Sequence, residues 1–174
     1  MRSRWWQAEF EKTVRPGDRI VLGPDRSPDL AALHLGALAC GAVVVPLNPS
    51  LSPPEQSALI ESAAPALIVT GSVANNQGTS ESAHRIPPST ALLLFTSGTT
   101  GKPKSVPLTH DNLLANLAAL SDLWQRSEHD RVLHMLPAHH FHGLVLALYG
   151  SLLAGSSVVM MPRFDARGAL DAIA

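Results

Sequence analysis

Residues 96–104 read Thr-Ser-Gly-Thr-Thr-Gly-Lys-Pro-Lys, the densest run of chemistry-bearing side chains in the sequence. Its glycines, Gly98 and Gly101, let the backbone turn tightly and bring N–H groups close to a ligand. Successive N–H groups in such a loop form a concave anion site. The hydroxyls of Thr96, Ser97, Thr99 and Thr100 add donors, and Lys102 and Lys104 add positive charge. Together these residue types suit the binding of phosphate oxygens. The run is not the P-loop of common nucleotide hydrolases. That loop needs Gly five residues before its Gly-Lys pair and Ser or Thr directly after it. Thr96 and Pro103 occupy those positions here.

A second concentration lies at His134, His139, His140 and His142. Imidazole is a common zinc ligand, so a histidine-rich metal module is one reading. It is the weaker one, because no second ligand cluster accompanies the run, Cys40 is far off and no His-Glu-x-x-His run exists. For His134 and His142 plain packing, at a strand end and a helix start, is the favoured expectation. A serine nucleophile is not supported, since the sequence lacks a Gly-x-Ser-x-Gly elbow.

These groups must be positioned by an alternation of two kinds of segment. Residues 19–22, 42–45, 66–70, 91–96, 131–135 and 157–161 are short and apolar and predict buried strands. Helices are predicted over 27–40, 52–63, 109–126 and 143–154. Ser27 with Pro28, and Ser-Pro-Pro-Glu from Ser52, mark two of the starts. The phosphate loop is thus expected to run from a strand to a helix opening at Thr109. Strands alternating with helices predict an α/β fold, a mostly parallel sheet flanked by helices. Residues 71–89, rich in Ser, Asn, Gln, Gly and Pro, predict a long flexible loop. Trp5, Trp6 and Phe10, at helical spacing, are expected to cover part of the core.

The 174 residues are 45% hydrophobic and 16% charged, which suits one domain with a sizeable core. A formal net charge of −1 gives no global pull toward nucleic acid or an acidic membrane. The single Cys40 excludes an internal disulfide framework and fits a reducing compartment. It reads as a small buried hydrophobe. The opening Met-Arg-Ser-Arg-Trp-Trp lacks the apolar stretch of a secretory signal, and no apolar run reaches membrane-spanning length. A cytoplasmic location is expected.

The loop resembles the phosphate-loop signature of the adenylate-forming (AMP-binding) superfamily. Residues 17–29, 41–49 and 106–110 resemble further family blocks. Leu136-Pro137-Ala138-His139-His140-Phe141-His142-Gly143-Leu144 resembles the family's acyl-pocket motif. The resemblance covers nearly everything from residue 16 to 165. It implies part of the large N-terminal domain of an acyl-CoA synthetase, with ATP, magnesium (Mg2+) and coenzyme A as cofactors and a small carboxylic acid as substrate. Thr96, Ser97, Gly98, Thr99, Thr100, Gly101, Lys102 and Lys104 would hold the ATP phosphates. His139, His140 and Gly143 would border the acyl pocket. No membrane or nucleic-acid partner is implied.

Three family elements find no match in these residues: a Tyr-Gly-x-Thr-Glu-like motif, a ribose-binding aspartate and a lysine on a C-terminal domain. The expectation is a partial or truncated N-terminal domain over 1–174. By itself it would be inactive, a nucleotide- or acyl-binding module that needs a missing C-terminal portion from the full-length protein or another chain. Two positions depart from the family pattern. Ser105 stands where glycine is usual, and His139 where many relatives carry Phe or Tyr. The pocket motif, with Met-Met-Pro-Arg-Phe after it, is similar to malonyl-CoA-synthetase-like members. A polar ring at His139 suits a short dicarboxylic acid better than a long alkyl chain. Arg163 is expected at a strand end on the surface.

Overall fold

The computed structural model describes residues 2–23, 28–70, 73–76, 86, 87, 89–96 and 104–173. They fall into two compact units, residues 1–25 with 29–110 and residues 26–28 with 111–174.

The first unit is a six-stranded sheet. Its strands are β1 (Arg19–Leu22), β2 (Val43–Pro46), β3 (Leu67–Thr70), β4 (Val73–Asn76), β5 (Thr90–Thr96) and β6 (Lys104–Thr109). Their spatial order is β4-β3-β1-β2-β5-β6. β3, β1, β2 and β5 run parallel, while β4 and β6 close the two edges antiparallel. Parallel strands are buried on both faces and read as unbroken apolar runs, which is why Arg-Ile-Val-Leu and Val-Val-Val-Pro carry no polar alternation. On one face Ile68, Val21 and Val45 stand side by side across β3, β1 and β2. Helix α3 (Pro53–Ala63) lays Leu59 and Ala63 into this cluster, with Val43, Leu47 and Leu93. Burying Leu59 contributes about 1.5–3 kcal/mol. Ile20, Leu22, Val44 and Leu92 alternate to the other face and are also buried.

Helix ends are built locally. Ser52 precedes α3, and the Glu55 carboxylate accepts from both its N–H (2.8 Å) and its hydroxyl (2.6 Å). These two bonds hold the Glu55 carboxyl below its usual range. Helix α2 (Pro28–Ala39) ends at Gly41, where φ is +76°. There the Ala42 and Gly41 N–H groups return to the carbonyls of Ala37 and Leu38. The β1 side chain of Arg19 is buried and donates to the Ala63 carbonyl (2.7 Å) at the end of α3. Burial holds its guanidinium below the ordinary value.

Helix α1 (Arg2–Phe10) packs on α2 at Gly36, where any Cβ would lie 2.7 Å from Trp6 Cβ and 2.9 Å from the Gln7 nitrogen. Phe10 is buried and Trp6 stacks on it at 5.5 Å, as expected of core-covering rings, whereas Trp5 is exposed. Cys40 is buried and its thiol donates to the Ala37 carbonyl, so it is the small core residue the sequence predicts. Burial pushes the thiol up.

The second unit holds helix α4 (His110–Trp124), whose first residue belongs to the other unit. It also holds the parallel pair β7 (Arg131–His134) and β8 (Ser157–Met160), a π-helix (His142–Tyr149) running on as α5 (Gly150–Leu153), and α6 (Ala166–Ile173). The α/β class with a mostly parallel sheet is as predicted. Three elements were not. β4 forms within the span assigned to a flexible loop, β6 fills the stretch left unassigned between the loop and the helix expected at Thr109, and α6 had no counterpart. Most of the remaining 71–89 span lies outside the described residues, as does the predicted cap Ser27.

Candidate functional site

The phosphate-loop sequence hangs from an antiparallel hairpin. β5 is buried from Thr90 through Leu93 and becomes exposed by Thr96, which carries it out of the core. β6 returns beside it, with Thr96 opposite Lys104, Phe95 opposite Ser105 and Leu94 opposite Val106. The Thr96 hydroxyl donates to the Lys104 carbonyl at 3.5 Å, and both residues are exposed. The loop therefore opens and closes at one cross-strand pair, about 5 Å wide at its mouth. This corrects the expected strand-to-helix connection. The helix begins at His110, one residue from the expected start at Thr109, and the strand β6 fills the stretch between it and the loop. Ser97, Gly98, Thr99, Thr100, Gly101 and Lys102 lie outside the described residues. Ser105 costs no backbone strain, because the only described non-glycines with positive φ are Ala64 and Gln125.

The pocket motif lies between β7 and the π-helix. Gly143 is buried, and any Cβ there would overlap the Pro137 carbonyl oxygen and lie 2.8 Å from its carbon. Only glycine lets the helix start so close to that backbone. His134, the last residue of β7, is fully buried, with Nε2 2.8 Å from the Gly143 oxygen. A carbonyl only accepts, so Nε2 carries the proton and Nδ1 is a bare acceptor. Nδ1 finds no partner among the described residues, a deficit of about 1–3 kcal/mol. His134 is thus packed at a strand end, as expected from sequence, and in addition bonds the Gly143 carbonyl.

His139 is half-buried and His140 exposed, their rings 4.3 Å apart. The His140 N–H donates to the Pro137 carbonyl at 3.2 Å, and the Leu144 N–H to the His140 carbonyl at 2.9 Å. His142 is exposed beside the Phe141 ring. Two neighbouring imidazoles on a fixed turn can donate to a carboxylate. Further along, Arg126 donates to the Leu146 carbonyl at 2.8 Å and lies over the Trp124 ring. Gly150 leaves the space its guanidinium fills. Extra donors such as this stabilise the wider π-turn, a feature frequent at functional sites. Neither the bond to His134 nor Arg126 was singled out in the sequence.

Among the described residues no three His, Cys, Asp or Glu side chains gather as a metal site would require, which leaves the metal-module reading without support.

The model of the family described as AMP-binding enzyme matches residues 10–90 and 74–174. The chain belongs to the AMP-binding enzyme family. A CoA ligase of Gibberella moniliformis is 34% identical over 178 residues, covering 86% of this chain and 30% of that protein. A mitochondrial malonate–CoA ligase of Bos taurus is 46% identical over 77 residues, 44% of this chain and 13% of that protein. The chain thus spans less than a third of either relative. Among solved structures, the O-succinylbenzoate coenzyme A synthetase of Bacillus subtilis, in complex with ATP and magnesium, covers 99% of this chain. The match spans 52% of that synthetase, with a TM-score of 0.82 and 26% identity. No helix among the described residues is long and apolar enough to cross a membrane.

Proposed function

We propose that this chain supplies the phosphate loop and part of the acyl pocket of an ATP-dependent carboxylate–CoA ligase. The observation that carries the reading is the β5–β6 hairpin. Its exposed end brings Thr96 and Lys104 together on either side of a loop made of hydroxyls, glycines and a second lysine. In the reaction a carboxylate oxygen attacks the α-phosphorus of ATP and pyrophosphate leaves. The coenzyme A thiol then attacks the acyl-adenylate carbonyl and AMP leaves. Residues 96–104 wrap the β- and γ-phosphates, and their N–H, hydroxyl and ammonium groups offset the charge that grows on pyrophosphate. Magnesium, when bound with the nucleotide, would supply further neutralisation of the phosphate charge.

The substrate is a short dicarboxylic acid such as malonate, bordered by His139, His140 and Gly143. Support comes from the similarity to a malonate–CoA ligase and from the half-buried imidazole of His139, which pairs better with a carboxylate than with an alkyl chain. The expected compartment is the cytoplasm, on the strength of a single buried thiol. By themselves these 174 residues bind without turning over. ATP–pyrophosphate exchange on the isolated chain stays at background, and robust exchange there would overturn that statement. For the complete protein, kcat/KM is compared for malonate, acetate and octanoate. A preference for octanoate that persists in His139→Phe would refute the dicarboxylate assignment.

A further inference from the structure

We propose that His134 is a positioning residue of the acyl pocket: its Nε2–H holds the Gly143 carbonyl and so sets the turn that presents His139 and His140. This rests on reading those two histidines as the carboxylate side of the site.

The first argument is the cost of the ring. It is fully buried and leaves Nδ1 without a partner among the described residues. A leucine would fill similar space with no desolvated nitrogen. What the imidazole adds is a donor at 2.8 Å from the Gly143 oxygen. The second argument is that both ends of the intervening turn are pinned. At the β7 end, the His134 carbonyl accepts from the Met161 N–H at 3.0 Å, just beyond β8. At the other end Gly143 carries the His134 bond and lies against the Pro137 carbonyl, where no Cβ fits. The third is that the pinned points connect to the two histidines. The Pro137 carbonyl beside Gly143 also accepts the His140 N–H, and the His140 carbonyl accepts from Leu144, the residue after Gly143. A shift of Gly143 therefore passes to His140, and through the ring contact at 4.3 Å to its chain neighbour His139.

The test is made on the complete protein with malonate as the probe acid. In His134→Phe, kcat/KM for malonate in pyrophosphate exchange should fall about tenfold, while KM for ATP stays within about twofold. His134→Gln, whose amide nitrogen can replace Nε2–H, should recover most of the loss. An undiminished malonate kcat/KM in His134→Phe overturns the proposal. So does an equal loss toward ATP, the mark of general unfolding. A second readout does not depend on turnover: nitrogen-15 spectra of the His134 ring should show a slowly exchanging proton on Nε2, with coupling to the Gly143 carbonyl. A proton on Nδ1 instead overturns the proposal. If the wild-type protein exchanges no carboxylate, the ligase reading falls and these spectra decide alone. The proposal then stands only if His134→Phe also shifts the His139 and His140 resonances.

Discussion

The β5–β6 hairpin and the turn between β7 and the π-helix both carry polar groups out of a buried strand, by opposite means. The hairpin relies on backbone pairing: register sets Thr96 opposite Lys104, and the side chains there are exposed. The turn relies on individual side chains, since His134, Gly143 and Arg126 each hold one carbonyl or leave room for one. A frame of backbone bonds tolerates substitution and leaves its side chains free for ligand. A frame of single side chains fixes geometry more tightly and fails at single positions.

The sharpest way to break this contrast is Gly143→Ala. The new Cβ meets backbone, which cannot swing aside, so the second unit should lose about 3 kcal/mol in urea unfolding. A loss below about 1 kcal/mol would mean the turn is softer than its contacts imply. Acid tests the other unit. Burial holds the His34 imidazole of α2 down to about 3, against an ordinary 6.5. The unfolded chain therefore takes up a proton first. Stability is complete above about pH 6.5 and falls on acidification toward pH 3, by up to about 1.4 kcal/mol per pH unit. Chemical denaturation at pH 7, 6 and 5 measures that slope, and His34→Leu should flatten it.

Lys104→Ala should leave the melting temperature of the hairpin unit unchanged, because the side chain is exposed and the ladder bonds are backbone. Yet kcat/KM for ATP should fall about tenfold or more in the complete protein. A fall in stability without a fall in ATP use would invert the comparison. The smallest effect is expected from Gly150→Ala. Its Cβ would overlap the Arg126 guanidinium, the mobile end of a long side chain, at a cost of about 1 kcal/mol. In Arg126→Ala that cost should vanish, and the double-mutant cycle measures the coupling.

The strands with parallel partners proved legible in the sequence, including β7 and β8, which are less buried than expected. β1, β2, β3 and β5 announce themselves as apolar runs because both faces are covered. β6 does not, since Lys-Ser-Val-Pro-Leu-Thr is polar, holds a proline and becomes a strand only by pairing with β5. β4, Val-Ala-Asn-Asn, is hidden for the same reason. Gly-Leu-Val-Leu-Ala-Leu-Tyr predicts a helix, but not its wider winding, which depends on Arg126 reaching Leu146 from another element. α6 spaces Ala166, Ala169, Leu170 and Ile173 as a helix does, but it is only eight residues long, carries Gly168 in its interior and buries only Ala169, so the signal is easily overlooked. At the candidate site the residue types were legible: hydroxyls, glycines and lysines in one run, histidines in the other. Their supports were not, because His134 bonding to Gly143, and Gly143 fitting against Pro137, are facts of three-dimensional proximity.

Pro107 sits in the middle of β6, opposite Leu93, on the outermost strand of the six-stranded sheet. A proline offers no N–H, so β6 carries one donor fewer than another strand of its length would. Exposed edges are where sheets recruit one another into aggregates, and a missing donor is one of the devices that blunts them. The hairpin can thus project a polar loop from the last strand of the sheet while making that strand a poorer template for a second molecule.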